Sequence, residues 1–126
     1  MLFYLADRPQ IDMGWLLETP LIFVMLTLVR PVLEEIVFRG LLQGWLIKQP
    51  WCGEWFAGIT YANIATSFIF TALHLFSHMP LMAALVFVPS LLFGYFRDRY
   101  HGWLVPAIAL HCFYNAGYFL LYKPDV

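Results

Sequence analysis

Three short strings within otherwise apolar segments of this sequence contain six side chains that could carry chemistry. They are Glu34, Glu35, Arg39, His74, His111 and Asn115. Placing an ionisable group within a membrane-spanning segment costs several kcal/mol on most scales, so such groups are retained mainly where they serve a function. We therefore treat these six residues as candidates for chemistry or for holding a catalytic site in place.

Helical spacing separates the roles of the two neighbouring glutamates. Glu35 and Arg39 are four residues apart, with the carboxylate toward the amino terminus, which favours an ion pair on a helix. Because each charge then has a partner, we assign this pair a structural, orienting role. Glu34 is rotated by about 100° around the helix axis and cannot share Arg39 equally well. It is left as a carboxylate with no cation of its own, the expected general base, unless Arg30 folds back onto it.

The fifth predicted helix carries two hydrogen-bond donors on one face. His111 and Asn115 are four residues apart, and both an imidazole and a carboxamide can donate. Two convergent donors are what a developing tetrahedral oxyanion requires. His74, on another predicted helix, could hydrogen-bond an attacking water or protonate a leaving amine.

The composition of the chain indicates that lipid is its main solvent. The 126 residues are 62% hydrophobic and 12% charged, with a mean hydropathy of +0.73. Soluble domains have about 45–50% apolar and roughly 25% charged residues. A net charge of -1 argues against a nucleic-acid partner. Two cysteines, Cys52 and Cys112, provide no disulfide framework.

Apolar runs and prolines predict five helices. They are Met13 to Val29, Pro31 to Lys48, Ile59 to Ser77, Pro80 to Phe96, and Trp103 to Tyr122. Joining the first two would give a helix of about 54 Å, too long for one span, so Pro31 is predicted to break or sharply kink the chain. The charged string Arg97-Asp98-Arg99 is predicted to be a turn. The expected fold is all-α, a polytopic transmembrane bundle of about five helices in one domain, residues 1–126.

The three polar strings together resemble a known family. Glu-Glu-x-x-x-Arg from Glu34, Phe-x-x-x-His ending at His74, and His-x-x-x-Asn from His111 look like the motifs of the CPBP (ABI) intramembrane proteases. That family includes the type II CAAX prenyl endopeptidases and bacterial bacteriocin-processing and self-immunity proteins. The resemblance covers about residues 30–118. It implies a glutamate-dependent endopeptidase with Glu34 activating water, His74 beside that water, and His111 with Asn115 stabilising the oxyanion.

The resemblance also implies where the protein works and on what. Room for a single helix before the first motif makes the chain similar to the smallest bacterial members. It is therefore expected to be an integral, multi-pass protein of the bacterial cytoplasmic (inner) membrane. Its expected partners are the lipid bilayer and a membrane-associated protein or peptide substrate, and no cofactor is expected.

Two other functions fit the same residues. Zn²⁺ held by His74, His111 and Glu34 would give a metalloprotease, since two histidines and one carboxylate leave an open position. Asn115 favours the oxyanion interpretation, because amides are poor zinc ligands. A non-catalytic membrane assembly or immunity protein is the second alternative, and it would tolerate Glu34→Gln.

Overall fold

Most of the described chain is helical. The computed structural model describes residues 14–76 and 78–121. A short helix α1 (Gly14–Glu18) precedes an unbroken helical run that we call the long helix, residues 20–46. Its segments are α2 (Pro20–Val24), a π-helical segment (Met25–Val29), α3 (Arg30–Glu35), a second π-helical segment (Ile36–Leu42) and α4 (Gln43–Leu46).

The second half of the chain forms a small hairpin and three helices. They are β1 (Trp55–Phe56), β2 (Ile59–Thr60), α5 (Tyr61–His74), α6 (Pro80–Arg99) and α7 (Val105–Leu121). Helix α6 packs against both α5 and α7, and α7 returns to contact the first π-helical segment and α3. The predicted helix ends at Met13, Ser77 and Tyr122 lie outside the described residues.

Of the two alternatives predicted at Pro31, the break is wrong, because the helix continues through this residue, and the sharp kink stays a prediction. Arg30 keeps helical dihedrals (φ -62°, ψ -49°), and its N–H bonds the carbonyl of Met25, five residues back. In this π-helical register the carbonyl of Leu26 faces Pro31, which has no N–H. Asn115 of α7 donates its Nδ2–H to that carbonyl at 3.1 Å. A side chain from another helix thus supplies the hydrogen bond that the proline lacks.

An antiparallel hairpin lies between the second and third predicted helices, and its second strand, Ile59–Thr60, replaces the predicted start of the third helix. Trp55 pairs with Thr60 and Phe56 with Ile59. Ala57 and Gly58 turn the chain with positive φ values of 53° and 84°, as tight hairpins require. The hydroxyl of Thr60 then accepts a hydrogen bond from the Asn63 N–H and caps the start of α5.

The predicted charged turn after residue 96 is also wrong, since α6 continues to Arg99. Arg97 donates from Nε to the carbonyl of Arg39 at 3.2 Å. Asp98 accepts from the Thr60 hydroxyl at 2.6 Å. In the last turn of α6, Arg97 and Asp98 therefore bond neighbouring elements, whereas Arg99 is exposed.

The contacts between helices are polar and the outward surfaces are apolar. The following polar side chains have no exposed surface: Glu35, Arg39, Gln43, Thr60, Asn63, Thr66, Ser67 and Ser90. Large apolar side chains face outward instead, with Leu21 74%, Leu41 67% and Phe113 79% exposed. A small apolar core of Trp15, Leu26 and Phe119 closes the end of the bundle near α1.

A close approach between α5 and α6 depends on Gly94. Asn63 donates to the carbonyl of Leu91 at 2.9 Å and accepts from the Ser67 hydroxyl at 3.2 Å. A Cβ atom added to Gly94 would lie 2.0 Å from the Asn63 Oδ1. The amide could move away only by giving up these hydrogen bonds.

Gly94→Ala is therefore expected to destabilise the protein by roughly 1–3 kcal/mol, the usual cost of overpacking a buried contact. Gly117→Ala is the matched control, since nothing lies within 4 Å of its added Cβ and alanine is the better helix former. Thermal unfolding of both purified variants in detergent measures the difference. Equal unfolding temperatures for the two variants would contradict the prediction.

Candidate active site

Two cavities meet at three polar residues. The cavity that we call the α7-side cavity has a volume of about 720 Å³ and lies among the long helix, α5, α6 and α7. The α2-side cavity, about 780 Å³, lies between the first half of the long helix and α5. Arg30, Glu34 and His74 line both. Most of the other residues that line the cavities are apolar. The three polar residues therefore lie between two largely apolar cavities.

All four residues predicted to act in catalysis line the α7-side cavity. Glu34 comes from α3, His74 from the last turn of α5, and His111 with Asn115 from α7. The four are separated by up to 81 positions in the sequence, and only the packing of three helical elements brings them to one space.

The predicted ion pair between Glu35 and Arg39 is present and wholly buried. Arg39 donates from Nη1 to the Glu35 Oε1 at 3.0 Å. Its Nη2 donates to both the carbonyl, at 2.7 Å, and the hydroxyl of Ser90 on α6. The guanidinium lies over the rings of Phe70 (4.9 Å) and Phe93 (5.4 Å). Arg39 therefore joins the long helix to α5 and α6.

The premise that Glu34 lacks a cation is wrong. Arg30 folds back along the helix and donates from Nε to the Glu34 Oε1 at 2.8 Å. Both side chains keep some exposure, 27% for Arg30 and 17% for Glu34. Among the described residues Arg30 is the hydrogen-bond partner of Glu34, and it occupies one carboxylate oxygen. The other oxygen, Oε2, is left to meet a ligand or water.

His111 is held by the second glutamate, an interaction that the helical spacing did not predict. Its Nδ1 lies 2.7 Å from the Glu35 Oε1, and its ring stacks on Phe93 with centroids 4.5 Å apart. Since the same Glu35 oxygen also accepts from Arg39, this carboxylate oxygen is the acceptor and Nδ1 of His111 carries the proton. His111 can then donate from Nε2 only when its ring is doubly protonated.

His74 is oriented by its own helix. Its Nδ1 lies 2.7 Å from the carbonyl of Phe70, and a carbonyl only accepts, so Nδ1 carries the proton. In the neutral ring Nε2 is then an acceptor. The Phe70 ring packs on the imidazole with centroids 4.4 Å apart. This arrangement suits a residue that accepts a hydrogen bond from water.

A third histidine, His78, lies beside the cavity in the connection between α5 and α6. Its ring stacks on His74 with centroids 5.5 Å apart. Burial, together with the neighbouring His74 and Arg30, lowers the pKa of His78 to about 4. His78 is therefore neutral at neutral pH and adds no charge to the site.

The described residues contain no group of three His, Cys, Asp or Glu side chains close enough to hold a metal ion. The zinc hypothesis requires Glu34, His74 and His111 to converge on one point. Whether the protein uses a metal stays a prediction for experiment.

The sequence analysis did not identify the buried polar residues that connect the long helix, α5 and α6 next to the site. Gln43, four residues after Arg39, donates to the carbonyl of Gly94 at 3.1 Å. The hydroxyl of Ser90 donates to that of Ser67 at 2.9 Å. The available signal was polar residues repeating every four positions in apolar helices, as in Glu35, Arg39 and Gln43.

The helical fold and this enclosed group of Glu, Arg, His and Asn side chains define a protein with a candidate catalytic centre between its helices. A family model described as Type II CAAX prenyl endopeptidase Rce1-like matches residues 16–117. The chain therefore belongs to the Rce1-like type II CAAX prenyl endopeptidase family. Membership implies a CAAX-type intramembrane protease, a membrane protein whose substrate is a protein. Comparison with curated proteins and with solved structures gives no match.

Arg39→Met is expected to cost about 3–5 kcal/mol of stability, because it leaves the Glu35 charge buried with one partner fewer. Adding Glu35→Gln should recover part of that loss by removing the uncompensated charge. Arg99→Met, at an exposed arginine, is the control. Unfolding in increasing SDS measures all four proteins. If the double variant is no more stable than Arg39→Met, the stability lost in Arg39→Met comes from lost packing and not from the uncompensated charge of Glu35.

Proposed function

We propose that the protein is an intramembrane endopeptidase in which Glu34 activates a water molecule without a metal ion. The observation that carries this proposal is that Glu34, His74, His111 and Asn115 line one cavity. Family membership supports the reaction class. The assignment of each residue rests on the contacts given above.

Several features support a chain that spans the membrane more than once. Helix α6 is long and apolar enough to cross a bilayer, and α7 is a shorter apolar helix. The long helix exposes Leu21, Leu28, Leu33 and Leu41, each more than half exposed. Polar contacts inside and apolar side chains outside are what a lipid solvent selects. We place the bundle as a multi-pass protein of the bacterial cytoplasmic membrane.

Water activation uses Glu34 and His74, two of the three residues that line both cavities. The Oε2 of Glu34 takes a proton from water while the Nε2 of His74 accepts a hydrogen bond from it. The water oxygen attacks the carbonyl carbon of the scissile peptide bond. When the tetrahedral intermediate collapses, the carbon–nitrogen bond breaks and protonated Glu34 returns the proton to the leaving amine.

The oxyanion is stabilised by two groups on α7. Asn115 donates one amide N–H to Leu26, so its second N–H is available. His111 donates from Nε2 as an imidazolium that Glu35 holds through Nδ1. The two Glu–Arg pairs are neutral together, and a protonated His111 gives the site one net positive charge. That charge complements the developing oxyanion.

The substrate is a membrane-associated protein or peptide whose reactive segment is apolar. The cavity walls offer hydrophobic side chains along most of their extent, among them Leu85, Val88 and Leu92 of α6. The apolar side chains of such a segment can pack against these walls. The scissile peptide bond then lies beside the polar residues around Glu34.

Glu34→Gln is expected to lower the cleavage rate by about 10²–10⁴-fold, because it removes the general base while keeping the side-chain shape. Candidate membrane-anchored substrates are co-expressed with each variant and cleavage is followed by gel shift. Glu54→Gln makes the same change at an exposed position and should cleave as wild type does.

Cleavage by Glu34→Gln at the wild-type rate would show that Glu34 is not the base. A second outcome is that wild type cleaves none of these substrates and that cells expressing Glu34→Gln have the same phenotype as cells expressing wild type. This outcome would support a non-catalytic assembly or immunity role. Accumulation of each variant in the membrane fraction must be equal for either conclusion.

Metal chelation separates the glutamate mechanism from the zinc alternative. Because no described ligand group of three is formed, we expect 1,10-phenanthroline and EDTA to leave the cleavage rate unchanged. Metal analysis of the purified protein should find less than one equivalent of zinc. Loss of activity on chelation, restored by added Zn²⁺, would overturn the metal-free mechanism.

A further inference from the structure

The carbonyl of Leu26 is a buried hydrogen-bond acceptor inside the long helix. Arg30 donates its N–H to the carbonyl of Met25, five residues back, so the next residue in the same register would donate to Leu26. That residue is Pro31, which has no N–H. Leu26 is 3% exposed and Pro31 is fully buried, so water has little access to replace the missing donor. The carbonyl therefore needs a partner from another part of the chain.

That partner is Asn115 of α7, whose Nδ2 lies 3.1 Å from the Leu26 carbonyl oxygen. A carboxamide without such a bond rotates easily, because its terminal torsion has a broad energy minimum. The group is planar and its two N–H bonds point in fixed directions, so holding one N–H also sets the direction of the other. The second N–H belongs to a side chain that lines the α7-side cavity.

A residue with an N–H at position 31 would compete with Asn115 for this carbonyl. If the π-helical register were kept, the N–H of that residue would bond the Leu26 carbonyl itself. If the helix relaxed to the ordinary α-helical register, the N–H of Arg30 would move to that carbonyl, four residues back. In both registers a backbone donor occupies the Leu26 oxygen. Proline is the one residue type that lacks this N–H, so it keeps the oxygen for the side chain from α7.

We propose that Pro31 is a positioning residue for Asn115. By withholding a backbone donor from the Leu26 carbonyl, it fixes one N–H of the Asn115 amide and directs the other into the α7-side cavity. This inference rests on the proposed function, in which the second N–H stabilises the oxyanion. It adds a residue that lines neither cavity and acts on the reaction only through Asn115.

The first measurement follows the amide directly in the purified protein in detergent. Asn63 and Asn115 are the two asparagines of the chain, so asparagine labelled with 15N in its side chain gives two pairs of N–H resonances. Asn115→Ala assigns them. In Pro31→Ala the Asn115 proton that bonds Leu26 is expected to move toward its position in a free carboxamide. The Asn63 pair, bonded to the Leu91 carbonyl at 2.9 Å, should stay in place as an internal reference.

The second measurement is the cleavage of a dye-labelled prenylated CAAX peptide, the substrate type that the family description names. Pro31→Ala is expected to lower kcat by about 10- to 100-fold, because the oxyanion donor is displaced. KM should change by less than about twofold, since this contact forms only in the transition state. In the Asn115→Ala background the same substitution should lower kcat no further, because the two residues act as one unit.

Two further variants separate the N–H from packing and from the loss of a proline as such. Pro31→Val keeps most of the volume of the ring and adds the same N–H, so it should behave as Pro31→Ala does. Pro106→Ala is the matched control. Pro106 lies in the first turn of α7, where a backbone N–H has no helical partner, and it lines neither cavity. Its replacement should leave kcat and both amide pairs unchanged.

Movement of the Asn115 pair, together with a loss of kcat that requires Asn115, supports the inference. An Asn115 pair that stays in place in Pro31→Ala and Pro31→Val overturns it, as does an equal loss of kcat with and without Asn115. An unchanged kcat overturns the positioning role even where the amide moves. If wild type does not cleave the peptide, that result contradicts the proposed function instead, and the amide resonances alone decide whether Pro31 holds Asn115.

Discussion

The buried guanidinium of Arg39 is the interaction on which the rest of the structure depends. It bonds Glu35 at 3.0 Å and the Ser90 carbonyl at 2.7 Å, and it lies between the rings of Phe70 and Phe93. A cation without exposed surface is tolerable only when it is paired with an opposite charge and hydrogen-bonded. The requirement to surround this one charge therefore fixes how the long helix, α5 and α6 approach one another.

The same charge reaches the candidate active site through Glu35. One oxygen of that carboxylate accepts from both Arg39 and His111, so the ring on α7 is oriented by the interaction that holds the bundle together. Phe93 contacts both the Arg39 guanidinium and the His111 ring. Structural and candidate catalytic residues thus share partners.

The long helix shows how a local defect becomes part of the site. Pro31 leaves the Leu26 carbonyl without a helical partner, and Asn115 supplies one. π-Helical segments on both sides of α3 change the register at which Arg30, Glu34 and Glu35 face their neighbours. Arg30 and Glu34 therefore lie at the junction of two apolar cavities, whereas Glu35 lies inside the bundle.

The sequence by itself determined the helical class, the Glu35–Arg39 pair and the order of the three polar motifs, because these follow from composition and from spacing within one helix. The tertiary structure decided what no local pattern contains. The helix continues through Pro31 because Asn115, 84 positions away, donates to the carbonyl that the proline leaves without a partner. Helix α6 extends through Asp98 because Thr60 bonds that carboxylate, and His111 pairs with Glu35. Each of these contacts joins side chains from segments that are distant in the sequence. The stabilisation that each contact provides depends on packing that exists only in the folded chain.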